Sequence, residues 1–161
     1  MISIRRILPL LILYAHVASA QDKPDLLEPS EHYRLGILYH IGLKEDLSQK
    51  EAIHHLELAA NQNHLDAQKL LALIYSENKV IPIDWNKAFY WETKAATLGD
   101  KQAQVRLGDW YREGVKEEPN LKKALLWYEK AAQEGDGEAC ERLGDIYMDA
   151  KTKPHDYQKA F

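Results

Sequence analysis

Apolar and small residues return in the same phase every 36 residues along most of this chain. In the stretch Lys101 to Asp136, Ala103, Leu107, Gly108 and Tyr111 fall at i, i+4, i+5 and i+8, with mostly charged and polar residues between them. That spacing puts the four on one face of a helix. Gly114 then offers a left-handed stop, Pro119 marks a loop, and Asn120 is a good N-cap for a second helix. Ala124, Trp127 and Ala131 form the next stripe, closed by Gly135. The pattern predicts two short helices joined by a turn. Thirty-six residues earlier stand Leu71, Tyr75, Ala88, Trp91, Ala95, Ala96 and Gly99; a further step back gives Leu35, Tyr39, Ala52, Ala59 and Ala60, and a step forward Leu143, Tyr147 and Ala160. The punctuation repeats too, with stops at Gly42, Asn63, Asn78 and Gly99 and caps at Ser48, Asp84 and Asp156.

A period of this size is the mark of stacked supersecondary units, none of which buries its apolar face alone. The expectation is therefore an all-α fold, an array of helix-turn-helix hairpins stacked in series. Its units span 30–64, 65–100, 101–136 and a truncated 137–161. Gly108 and the pair Ala131-Ala132 let helix backbones approach, so that Tyr111 and Trp127 fill the space between hairpins. Each large side chain buried there contributes roughly 1.5–3 kcal/mol. The first unit is degenerate, with His55 where tryptophan stands in the others and Leu58 where lysine stands. In the fourth, Ala150 replaces the glycine stop and the chain ends at Phe161, five residues into a second helix; a piece of a longer reading frame is expected.

The segments A-x-x-x-L-G-x-x-Y-x-x-G at Ala103 to Gly114 and K-A-x-x-W-Y-x-K-A-A-x-x-G at Lys123 to Gly135 resemble the Sel1-like repeat, a relative of the tetratricopeptide repeat. The second unit departs from it at Ala72 and Glu92. The resemblance implies a right-handed α-solenoid of helix-turn-helix hairpins, whose first helices line a concave face and whose usual work is to hold other proteins together. By analogy with tetratricopeptide repeats, groove positions would be Tyr33, Ile37 and His40 in the first unit and Lys69, Leu73 and Ser76 in the second. The third would supply Val105, Asp109 and Arg112, the fourth Glu141, Asp145 and Met148. Such a face grades from apolar to acidic along the array and suits a peptide or amphipathic helix with an apolar anchor and basic neighbours.

The N-terminus adds a location. Arg5 and Arg6, the apolar run Ile7 to Val17, and Ala18-Ser19-Ala20 have the three parts of a secretory signal, cleaved after Ala20. Residues 21–29 follow as a short linker. The apolar run is too short to span a bilayer comfortably, and no cysteine follows the cleavage site to carry a lipid, so the mature chain is expected to be periplasmic or secreted, without a membrane span. The formal net charge is −4 at pH 7, two units more acidic once Arg5 and Arg6 are removed. An acidic surface disfavours nucleic acid as a partner. Cys140 is the one cysteine; it has no partner for an intrachain disulfide, and a thiol of this kind is usually buried and inert.

Chemistry is sparse. Five of the seven histidines, His32, His40, His54, His55 and His64, crowd the first unit, but none are spaced i, i+4 as helix-borne metal ligands usually are. No H-E-x-x-H, G-x-S-x-G or Gly-rich phosphate loop is present, and Asp145 with Asp149 reads as a solvated acidic face. No catalytic residue, cofactor or metal is expected. The best reading is a non-catalytic scaffold or regulator that binds another protein or peptide. One alternative is an immunity protein that neutralises a toxic effector. Another is a β-lactamase-like hydrolase, a label the resemblance brings with it, although no S-x-x-K occurs here.

Overall fold

The computed structural model describes residues 27–40, 47–77 and 81–152. They form seven helices and, among the described residues, no strand: α1 Pro29–His40, α2 Leu47–Asn61, α3 Leu65–Ser76, α4 Trp85–Thr97, α5 Lys101–Glu113, α6 Leu121–Gln133 and α7 Gly137–Thr152. Each helix packs against those before and after it in the chain, so the molecule is a series of hairpins, an all-α solenoid. None of these helices is long and apolar enough to cross a membrane.

The helix ends follow the period. Asn63, Gly99, Gly114 and Gly135 all have positive φ, between 62° and 93°, the left-handed turn that glycine and asparagine adopt most readily. Asp84 and Asn120 accept from the backbone N–H three residues on, at Lys87 and Lys123. A second set of caps opens the first helices. His64, Asp100 and Asp136, again 36 apart, accept from Ala67, Ala103 and Ala139. The second helix of the first unit starts at Leu47, so Ser48 lies within its first turn. Gly42, Asn78, Asp156 and Ala160 lie outside the described residues. With Ala150 in place of a glycine stop, α7 runs on to Thr152.

A lysine and a tyrosine of the pattern meet inside the second and third hairpins. The Lys87 ammonium lies 4.7 Å from the ring centre of Tyr75, and Lys123 lies 4.8 Å from that of Tyr111, a cation–π contact made twice in the same phase. The Asp84 and Asn120 N–H groups donate to the Tyr75 and Tyr111 carbonyls, closing the loop between the helices.

Two expectations about the core are corrected. Trp91 is buried, but Trp127 is only half-buried; Tyr128, one residue on, is the fully enclosed ring. The reason is the notch at Gly108, where a β-carbon would stand 2.5 Å from the Tyr128 ring. Gly36 accommodates Leu56 in the same way, at 2.6 Å. In the second unit the equivalent positions are Ala72 and Glu92. Cys140, expected to be buried, is exposed. It occupies the position of Gln68 and Gln104, two buried glutamines whose side-chain amides donate across the junction to the carbonyls of Ala60 and Ala96 in the preceding unit.

Candidate functional site

The twelve positions expected on the first-helix face divide sharply. Leu73, His40, Glu141, Asp145 and Met148 are exposed, Leu73 at 44% and Met148 at 64%. Tyr33 and Ile37 are half-buried, the Tyr33 ring stacking on His64 with centres 4.5 Å apart. Val105 is a correction. It is 3% exposed and packs with Ala124, Leu125 and Tyr128, so it offers nothing to a partner. Ser76 is also buried, its hydroxyl turned back onto the Leu73 carbonyl. Lys69, half-buried, pairs with Asp100 at 2.7 Å. The face that remains open is narrower than the periodicity implied.

Asp109 is committed within the fold. It accepts from the Tyr128 hydroxyl at 2.7 Å and from Arg142 of the next unit at 3.1 Å, with Arg112 3.5 Å away. The preceding junction solves the same problem differently. Glu92 stands where Tyr128 stands one unit later, Leu73 where Asp109 stands, and Arg106 where Arg142 stands. Arg106 donates to Glu92 at 2.9 Å. The carboxylate has moved from the first helix to the second, and the arginine of the following unit finds it in either place. At the first junction all three positions, Ile37, Leu56 and Leu70, are apolar. Burial raises the Glu92 carboxyl to about 7, against the opposing pull of Arg106. Burial and the bond to Asp109 push the Tyr128 phenol well above its ordinary value.

The histidines of the first unit gather by folding rather than by spacing. The Nδ1 atoms of His32 and His55 lie 3.0 Å apart, with ring centres 5.3 Å apart. The centre-to-centre gap is little more than that contact plus the two ring radii, so the nitrogens point head-on at one another. One must carry the proton that the other accepts; a shared metal ion would not fit between them as they stand. Among the described residues no group of three or more His, Cys, Asp or Glu is placed to hold a metal. Tyr39 stacks on His55 with centres 5.7 Å apart. Burial, then repulsion from His32 and His54, lowers His55 to about 4.

A fold of stacked hairpins whose junctions carry the polar chemistry, with an open first-helix face, defines an α-solenoid repeat protein. Comparison with known proteins narrows the class. The Sel1 repeat matches residues 32–64, 65–100, 101–136 and 137–161, and the chain belongs to that family. An uncharacterized protein, NMB1327, of Neisseria meningitidis serogroup B is 34% identical over 94 residues, 58% of this chain and 19% of that protein. Among solved structures, c5321, a protective antigen of uropathogenic Escherichia coli with an SLR fold, superposes with a TM-score of 0.70 at 29% identity, covering 88% of this chain and 29% of that one. A Sel1 repeat protein from Oxalobacter formigenes gives 0.62 at 31% identity, covering 73% and 34%. The chain thus spans about a fifth to a third of the length of these relatives. Sel1 repeat proteins generally mediate protein–protein interaction.

Proposed function

We propose that this chain is a non-catalytic scaffold or regulator that binds a protein partner on the concave face made by α1, α3, α5 and α7, and that it works in the periplasm or outside the cell. The observation that supports the binding reading is the exposure of Leu73 and, beside Tyr147, of Met148 on two first helices. Export rests on the signal-like segment ending at Ala20. Asp109 is unsuitable for testing the face, because reversing its charge would break the junction with Arg142. Leu73→Ser with Met148→Glu removes the exposed apolar surface without setting a carboxylate beside Arg106 and Glu92. Used as bait in a bacterial extract, the wild-type chain is expected to enrich partners that the double variant loses while its circular dichroism is unchanged. Identical capture by both would remove the first-helix face from consideration. N-terminal sequencing of the expressed protein, expected to begin at Gln21, tests export.

A further inference from the structure

A second surface lies along α4 and shares no residue with the first-helix face. It is an open groove of about 650 Å³ running from Asn63 and Leu98 at one end to Asn86 and Lys116 at the other. Its floor is aromatic. Phe89 and Tyr111 meet edge to face with centres 5.4 Å apart, and Tyr90 is half exposed beside them. Two lysines flank the rings, Lys94 with its ammonium 5.5 Å from the centre of Tyr90 and Lys116 at the same distance from Phe89. Neither makes an ion pair among the described residues, unlike Lys69 and Lys123. No residue that lines the groove is acidic, although the chain as a whole is negative. The adjoining depression, which shares Asn86 and Lys116, adds one carboxylate, Asp84, and that one is occupied in capping α4.

We propose that this groove binds an extended acidic peptide segment carrying an aromatic or aliphatic anchor. The lysines supply charge opposite in sign to the rest of the surface and complementary to the ligand. The rings accept the anchor. Asn63 and Asn86, one at each end, can donate to and accept from peptide units, as a side-chain amide does. From Asn86 to Leu98 the helix rises about 18 Å, which matches about five extended residues. A neutral sugar would use the rings and amides and leave the two free lysines without a role.

The test is panning of a phage-displayed library of random dodecapeptides on the full chain, followed by fluorescence anisotropy with labelled copies of the enriched sequences. Enrichment of Asp and Glu around an aromatic or aliphatic residue is expected. Affinity should fall at least about tenfold in K94E/K116E, less in K94Q/K116Q, and markedly between low and high salt. Leu73→Ser should leave it unchanged, which separates this groove from the first-helix face. The proposal fails if no acidic sequence is enriched, if the charge-reversed chain binds as well as wild type, or if Leu73→Ser abolishes binding. Capture of chitohexaose that depends on Tyr90 but ignores both lysines would overturn it in favour of a sugar.

Discussion

Arg106 reaches back from the third repeat to the carboxylate of Glu92 in the second, donating at 2.9 Å to an acid that is 1% exposed. The arginine itself keeps 40% of its side-chain surface in water. The pair therefore has one desolvated partner and one solvated one, and the acid bears most of the cost of burial.

Because the Glu92 pKa is raised from 4.5 to about 7, the folded state holds a proton that the unfolded chain releases. Stability is therefore full below pH 4.5 and falls as pH rises towards 7 and above, by up to about 3 kcal/mol. Arg106→Ala removes the opposing charge and should deepen this loss. Thermal melts of the variant are expected to fall further below wild type at pH 8 than at pH 5. An equal deficit at both would mean that Arg106 acts by packing alone.

His55 gives the opposite dependence. Its pKa is lowered from 6.5 to about 4, so stability is full above pH 6.5 and is lost as pH falls towards 4, when a charge is forced onto this half-buried ring. Amide exchange in α1 and α2 should quicken between pH 7 and 4.5, after correction for intrinsic rates, while α5 and α6 hold. His55→Phe should abolish the difference.

Two glycines at equivalent positions should respond in opposite ways. Gly108→Ala drives a methyl into the Tyr128 ring and should destabilise by about 1–3 kcal/mol. At Gly144 a β-carbon meets nothing within 4 Å, and Gly144→Ala should be neutral or stabilise by up to about 1 kcal/mol through helix propensity. Urea titrations of the pair decide it; equal effects would contradict the notch.

The neighbouring aromatics should rank by enclosure rather than by size. Tyr128→Ala is expected to cost about 3–5 kcal/mol, and Trp127→Ala less, since its ring is only half-buried, packed against the Phe89 and Leu107 cluster with Lys130 5.2 Å from its centre. Tyr128→Phe, which removes the bond to Asp109, should cost about 0.5–1.5 kcal/mol. Chemical denaturation of the three variants gives the order.

Much of this architecture can be read from residue types alone, because a helix stop or an N-cap is a local event. Asn63, Gly99 and Gly135 turn where the period says they should, and Asp84 and Asn120 cap. The capping role of His64, Asp100 and Asp136 carries the same period and was legible, though the crowd of histidines drew His64 towards metal chemistry. The choice between Trp127 and Tyr128 was not legible. Adjacent helical residues point about 100° apart, and which one faces inward depends on how the hairpins lean. Gln68 and Gln104 look like polar interruptions until the carbonyls they bond are placed. His32 and His55 stand 23 residues apart, and only packing of α1 on α2 makes them a pair.

Tandem blocks of one length invite the thought that they could be shuffled like identical bricks. The migrating carboxylate forbids it. A third or fourth unit placed behind the first would set Arg106 or Arg142 against Leu56 and Ile37, with no acid to receive it at those positions. Part of the order of the hairpins is thus written into their seams, and a chain folding beside its own near-copies is steered away from docking the third or fourth hairpin on the first.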